Sequence, residues 1–338
     1  MNLKNLWRYF HLSIRVGIYK TPFTSFMIFL YFIVNRVQIK LKMVKLILPP
    51  PNLVISLTSR CNKTCSFCHY VTELNSPTYK EDELTLEGFK TLLRSKSVPN
   101  YGRVCLYGGE PLLNKDFFSI LKLANNKKYL TTIVTNGLLV GKYLEELKNS
   151  KLNLMTLSYY KEDIEKIRDS IKKISSYIPI NVSYVVSNNR LDELKNMLEF
   201  SKDINAEMVT IENLRENGVT NEKTLFESKE LRAIQKSLNA QYSDHFILRW
   251  SGFNTAPKEN EKIRCIDFWD TIFLNAKGEV SPCCQYPLSS YKGSIESSCS
   301  SINSKEMISL RKSFINNIAP DACKGCHYLY KSDPLYKS

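Results

Sequence analysis

From Asn52 to Ile211 the chain alternates short apolar runs with amphipathic segments, and this order constrains the fold more than any other feature. Strand-like runs fall at Asn52–Thr58, Arg103–Tyr107, Thr131–Val134, Asn153–Tyr159, Ile180–Val186 and Glu207–Ile211. Between them Leu86–Ser95, Phe117–Asn126, Lys142–Ser150, Glu162–Ser175 and Leu191–Lys202 carry apolar residues at helical spacing. Strand then helix, repeated about six times, predicts an α/β fold of parallel strands covered by helices. Periodicity alone does not tell a closed sheet from an open one. In such folds the chemistry sits at the C-terminal ends of the strands, so the residues that follow each strand are the candidates.

The first strand runs into Cys61, Cys65 and Cys68. Three thiolates at CxxxCxxC spacing supply three of the four ligands that a [4Fe-4S] cube takes and leave one iron open. A zinc site of Cys61, Cys65, Cys68 and His69 is the bland alternative. The second strand runs into Gly108-Gly109-Glu110-Pro111, where glycines permit close backbone approach to a ligand and a carboxylate can accept from an ammonium group. The third ends in Thr135-Asn136-Gly137, the fourth in Ser158, and the fifth is followed by Asn188 and Asn189. A strand-end Ser or a capping Asn also needs no ligand to explain it.

Taken together, the CxxxCxxC with Phe67 before its third cysteine and the GGEP segment at the next strand end resemble the radical S-adenosylmethionine (SAM) superfamily. The resemblance implies a partial (β/α)6 TIM-like barrel over residues 49–212, with a SAM-binding [4Fe-4S] cluster on Cys61, Cys65 and Cys68. It also implies that SAM chelates the open iron, that the GGEP residues Gly108, Gly109 and Glu110 contact its methionyl amino group, and that Asn136, Ser158 and Asn189 lie along it. Reductive cleavage of SAM to a 5'-deoxyadenosyl radical is the chemistry implied. Cys105, inside the second strand, reads as a buried small hydrophobe.

After residue 212 comes a connecting region, 213–260, with a helix expected at Ser228–Asn239 and a strand at Phe246–Trp250. In 261–338 a hairpin is expected over Phe273–Val280. Twelve residues separate Cys265 from Gly278 and four separate Gly278 from Cys283; Cys323 and Cys326 follow as CxxC. This resembles the opening of SPASM and twitch auxiliary domains. It implies a small C-terminal domain of the shorter twitch type, with one auxiliary [4Fe-4S] cluster on Cys265, Cys283, Cys323 and Cys326. A four-cysteine zinc site is the alternative. Cys284 competes with Cys283 as ligand, Cys299 has no matching role, and His327 is either near the cluster or a loop residue.

Charge is the remaining signal. The 338 residues carry a net +14, yet nine basic residues and no acid lie in residues 1–60, and the first acid is Glu73. A nucleic-acid binder is expected to spread its charge over a folded face, so no nucleic-acid partner is expected. Leu3, Leu6, Trp7, Phe10, Ile14 and Ile18 recur at helical spacing, opposite Lys4, Arg8, His11 and Arg15, while Leu12 and Val16 fall off that stripe. The segment 1–48 is thus predicted to hold a basic amphipathic helix, a break at Pro22, an apolar run Phe23–Val34 too short to span a bilayer, and strand-like alternation from Arg36 to Met43. Attachment to an anionic membrane surface is expected. Docking of the apolar face on the barrel, or a cleaved signal peptide, would give a similar pattern.

Clustered cysteines favour a reducing compartment, so a cytoplasmic enzyme is expected, peripheral on the inner face of the membrane. The resemblance implies an oxidoreductase that takes a hydrogen atom from its substrate and passes an electron to the auxiliary cluster. A sugar- or cyclitol-like small molecule, lipid-linked or free, is the expected substrate, with a flavodoxin- or ferredoxin-type electron donor. Maturation of a ribosomal peptide by crosslinking or epimerisation is the second reading. A non-catalytic iron-sulfur or zinc protein is the third.

Overall fold

The computed structural model describes residues 3–17, 22–68, 82–214, 221–225, 228–253, 262–263, 265–281, 283, 301–323, 326 and 329. His69, Cys284, Cys299 and His327 lie outside the described residues. The strands are β1 (Asn52–Thr58), β2 (Arg103–Gly108), β3 (Leu130–Thr135), β4 (Leu154–Ser158), β5 (Ile180–Val186), β6 (Met208–Asn213), β7 (Ile247–Ser251), β8 (Thr271–Leu274) and β9 (Val280–Ser281). They form one sheet in the order β7-β6-β5-β4-β3-β2-β1-β8-β9.

Every neighbouring pair from β1 to β7 is parallel, as is β1 with β8; only β8 and β9 are antiparallel. Seven strands in sequence order, with no reversal, are the winding of a barrel rather than of a doubly wound sheet. The described strands leave the barrel open, with β7 and β9 at its edges. The hairpin expected near residue 275 is present, and its first strand extends the sheet from β1.

Helices fill the crossovers: α3 (Leu86–Leu93), α4 (Phe117–Asn126), α5 (Leu144–Asn149), α6 (Ile164–Ser175), α7 (Leu194–Asp203) and α8 (Lys229–Tyr242). Their amphipathic spacing explains their docking. In α6, Ile164, Ile167, Ile171 and Ile174 are all buried while Lys172 and Lys173 lie in the last turn; each such isoleucine contributes on the order of 2 kcal/mol on burial. In α3, Thr85 caps the first turn by accepting from Gly88 N at 3.1 Å. On β1, Leu53, Ile55 and Leu57 are fully buried on one face and Ser56 and Thr58 on the other, the two-sided burial of a parallel strand.

Two helices precede the barrel, α1 (Leu3–Arg15) and α2 (Pro22–Lys40). The second corrects two expectations. Residues Arg36 to Lys40 continue the helix instead of forming a strand, because Asn35 and Gln38 are buried one turn apart and fix a helical face there. At 19 residues, α2 is by length and composition long and apolar enough to cross a bilayer. Thr24, Ser25, Asn35 and Gln38 broke the apolar run in the sequence without breaking the helix. Two further helices, α9 (Asp267–Asp270) and α10 (Lys305–Ile315), build a second core in which Phe268, Trp269, Met307 and Phe314 pack with Leu46 from the N-terminal segment.

Candidate functional site

The loop after β1 is pinned before it reaches its cysteines. Asn114 donates to Leu57 O at 2.8 Å and Leu84 O at 3.0 Å, and the Arg60 guanidinium donates to Leu113 O at 2.9 Å and pairs with Glu83. The loop after β2 is bonded to it directly, Gly109 N to Thr58 O and Glu110 N to Arg60 O, both at 2.8 Å. This approach needs glycine. Gly108 has φ of +136°, and a Cβ on Gly109 would stand 2.1 Å from Arg60 O.

Cys61, Cys65 and Cys68, each half-buried, line one cavity of about 200 Å3 with Gly108, Gly109, Asn136 and Ser158. Seven residues singled out at four different strand ends, the three cysteines of the motif among them, thus share one wall. Burial pushes the Cys61 thiol up, offset in part by the backbone N–H of Lys63. Among the described residues, no three His, Cys, Asp or Glu side chains gather closely enough to hold a single metal ion. A cubane distributes its thiolates over separate irons, and sulfurs spaced along a common cavity wall suit that group.

Glu110 is placed differently from its neighbours. It is fully buried and accepts from Leu112 N at 3.2 Å, Thr135 Oγ1 at 2.8 Å and Asn136 N at 2.9 Å. Burial raises its carboxyl, and these three donors pull it back. Its side chain ties the ends of β2 and β3 together, while Gly108 and Gly109 present backbone to the cavity. Asn136 in turn donates to Asn62 Oδ1 at 2.7 Å, joining the β3 end to the cysteine loop.

A second, open cavity of about 720 Å3 adjoins the first and shares Lys63, Cys65 and Tyr160 with it. Phe67 and Asn189 lie on this wall. Asn188 does not; it exchanges hydrogen bonds with the backbone of Lys223. Several residues here were not singled out in the sequence, Tyr160, Lys63, Arg190 and Glu222 among them. Tyr160 stacks on Phe67 at 6.3 Å, Cys65 Sγ donates to its hydroxyl at 3.2 Å, and Lys63 Nζ stands 4.2 Å from its ring centre. Burial first, then the charge of Cys65, push the Tyr160 hydroxyl up, so it stays protonated and can donate to a thiolate.

Lys63 also pairs with Glu162 at 2.9 Å and with Asp163. Desolvation works against its charge, yet those hydrogen bonds carry Lys63 above its ordinary value. Arg190 lies 4.6 Å from the Phe67 ring centre and is held by both oxygens of Glu222, at 2.9 and 3.1 Å. Tyr160 follows a strand end directly and Arg190 follows Asn189, so the strand-end rule reaches both. Glu222 sits in a polar stretch without periodicity and carries no such signal.

The other cysteines converge elsewhere. Cys265 N donates to Leu329 O and Cys326 N to Cys323 O, both at 3.1 Å, which folds the CxxC turn against Cys265. Cys265, Cys323 and Cys326 pack in the second core. Burial pushes the Cys265 thiol well up, and Asp267, Cys283 and Cys326 lie within electrostatic reach of it. The four cysteines named as auxiliary ligands therefore occupy one neighbourhood, a donor set of soft sulfurs that fits an iron-sulfur cluster.

Residues 55–226 match the model of the radical SAM superfamily, and the chain belongs to that superfamily. Residues 265–327, from the first to just past the last of the four auxiliary cysteines, match the SPASM iron-sulfur cluster-binding domain. Its cofactors are thus SAM and iron-sulfur clusters.

The chain is 28% identical over 177 residues to the probable GTP 3',8-cyclase of Methanocaldococcus jannaschii, covering 48% of this chain and 58% of that one. It is 25% identical over 199 residues to the PqqA peptide cyclase of Granulibacter bethesdensis, covering 54% and 52%. The matches span little more than half the length of these relatives. Among solved structures, Streptococcus suis SuiB bound to S-adenosylmethionine superposes with a TM-score of 0.58 at 16% identity, over 85% of this chain and 67% of that one. The anSMEcpe structure with bound AdoMet gives 0.57 at 18% identity, over 82% and 89%. These likenesses show the fold.

Proposed function

We propose that this chain is a SAM-dependent radical enzyme that oxidatively modifies a polar substrate, a peptide segment, in the 720 Å3 cavity. The observation that carries the reading is the junction of that open cavity with the cysteine-lined one through Lys63, Cys65 and Tyr160. Cys61, Cys65 and Cys68 would hold the SAM-binding cluster, and Cys265, Cys283, Cys323 and Cys326 the auxiliary one. When bound, SAM on the reduced cluster would supply the hydrogen-abstracting power, the auxiliary cluster would accept the electron that leaves the substrate radical, and solvent water in the open cavity would take the accompanying proton. The backbone of Gly108 and Gly109 and the amide of Asn136 meet the cofactor. Tyr160 packs over Cys65 and can donate to it once the thiol has become a thiolate. Lys63 and Arg190, each fixed by carboxylates, present oriented donors to the substrate. Extended chain fits a cleft that is open at its side, and matches to a peptide cyclase and to folds shared with SuiB and anSMEcpe support that choice.

A second reading, oxidation of a sugar- or cyclitol-like hydroxyl, is favoured by the same wall, where the Phe67 and Tyr160 rings stand beside Glu162, Asp163 and Glu193. The test is anaerobic turnover of the reconstituted full chain with dithionite, SAM and either peptide or nucleotide-sugar pools. Formation of 5'-deoxyadenosine is expected, with peptides that lose two hydrogens by mass. A Cys65→Ala variant is expected to form none. Equal yields from the two proteins would remove the radical assignment, and product from the sugar pool alone would transfer it to the second reading.

A further inference from the structure

The two N-terminal helices dock on one end of the sheet and leave their bulky faces outside. The α1 anchors lie at strand beginnings or, for Ser175, at the helix end that leads into one. Arg15 pairs with Glu207, just before β6, and donates to Ser175 O at 3.1 Å; Asn153, just before β4, donates to Val16 O at 2.6 Å; Arg8 donates to Asp244 O ahead of β7. For α2, Asn35 donates to Asp270 at 3.0 Å, just before β8, and Phe23 and Tyr31 meet Tyr101, just before β2. Since β1 to β8 run parallel, these anchors share one end of the sheet, and Cys61, Cys65, Cys68, Gly108, Gly109 and Asn189 share the other.

The exposed faces are apolar. On α1, Leu12 is buried against the body, whereas Trp7, Phe10 and Ile14 face out, Trp7 being 64% exposed. On α2, Ile28, Tyr31, Asn35 and Gln38 face the body, and Phe23, Phe26, Phe29, Leu30, Ile33 and Val37 face out. At 3.6 residues per turn these two stripes lie on opposite sides of the helix. Such a surface exceeds the scattered apolar residues of an ordinary exterior. Its rim is basic: Arg36, Lys40, Lys42 and Lys45 are exposed beside Val37, Leu41 and Ile47, and no acid precedes Glu73 in the chain.

We propose that α1 and α2 form an interfacial platform that seats the N-terminal end of the sheet on an anionic bilayer, with the mouth of the catalytic cavity turned away from it. Aromatic side chains would enter the acyl boundary and the basic rim would meet lipid phosphates. The buried Asn35 and Gln38 contacts hold α2 along the body, so it lies on the bilayer rather than through it. The seven residues of β5 are about 23 Å long at about 3.3 Å each, and with the strand tilt of a barrel the cavity stands on the order of 15 to 20 Å from the platform. A substrate then arrives from water, or on a tether long enough to pass around the body.

The test sediments the full chain, reconstituted with its clusters, with vesicles of phosphatidylglycerol and phosphatidylcholine or of phosphatidylcholine alone. Binding to the anionic vesicles is expected, weaker by about tenfold or more in a Trp7→Ser, Phe26→Ser, Phe29→Ser variant whose circular dichroism matches the wild type. In the bound protein, hydrogen exchange is expected to slow over residues 3–17 and 22–48 and to stay unchanged over 61–68 and 188–193. Slowed exchange at the latter segments would overturn the orientation. No vesicle binding together with a stable dimer in solution would assign the face to a second copy. Resistance to alkaline carbonate extraction would mark a spanning helix and overturn the proposal.

Discussion

Arg190 owes its place over Phe67 to Glu222. Desolvation raises the Glu222 carboxyl, but hydrogen bonds from Ser187 and Arg190 outweigh it and hold the group below its ordinary 4.5. A carboxylate depressed in the folded state contributes stability that is fully present above 4.5 and is lost as pH falls through the lower folded value. Glu222→Gln should therefore unfold about 1 to 3 kcal/mol more easily at neutral pH in urea titrations, with the difference from wild type closing below pH 4.5. Its substrate KM should rise more than its kcat falls, because Arg190 loses its orientation while the cysteine loop is untouched. The same contrast sets what the sequence discloses. Cys61, Cys65 and Cys68 are legible because metal ligation demands a residue type at a spacing. Glu222 is not, because a carboxylate that holds another side chain can come from any loop that happens to pass.

Between elements, the ends of β1 and β2 behave as one unit. Strand and helix bounds were largely legible: Asn52–Thr58, Ile180–Val186 and Phe117–Asn126 are observed as expected, because burial on both faces of a strand, or on one face of a helix, writes a period into the sequence. The close pass of the two loops is legible only through its glycines. Gly109→Ala would drive a Cβ into Arg60 O and Ser59 O, at 2.1 and 2.8 Å, and backbone cannot yield as a flexible side chain does. The expected result is a destabilisation of at least about 2 kcal/mol in urea, and loss of the visible absorbance of the first cluster with the auxiliary cluster retained. Iron and sulfide content near half that of wild type would report it; unchanged content would show that the two loops move apart without cost. The alternation from Arg36 to Met43 misled for a converse reason. A few residues of period two are compatible with the end of a helix whose polar contacts, Asn35 and Gln38, fix the face.

At the scale of the molecule, the sheet is continuous where the sequence divides. β7 extends it beyond β6, and β8, whose neighbours carry Cys265 and Cys283, pairs with β1 from Asn52↔Thr271 to Ile55↔Leu274. A four-residue strand carries no sign of a partner more than two hundred residues away, so this pairing was not legible. Two buried side chains join the parts, Asp270 and Arg311. The Asp270 carboxylate accepts from Asn35 of α2 and Asn52 of β1, both at 3.0 Å, and Arg311 of α10 donates from the second core to Val44 O and Phe268 O, at 3.0 and 2.9 Å. Asp270→Ala would take the carboxylate from the buried Asn35 amide and one of two acceptors from Asn52, which keeps the backbone carbonyl of residue 270 at 3.1 Å, a loss of about 1 to 3 kcal/mol. If the N-terminal helices and the auxiliary region are held to the barrel chiefly through this group, the loss is local. Hydrogen exchange should then accelerate over α2, α9 and β8 while β3 to β5 keep wild-type protection. Uniform acceleration across all nine strands would instead show one cooperative unit, in which the cluster regions cannot loosen without the barrel.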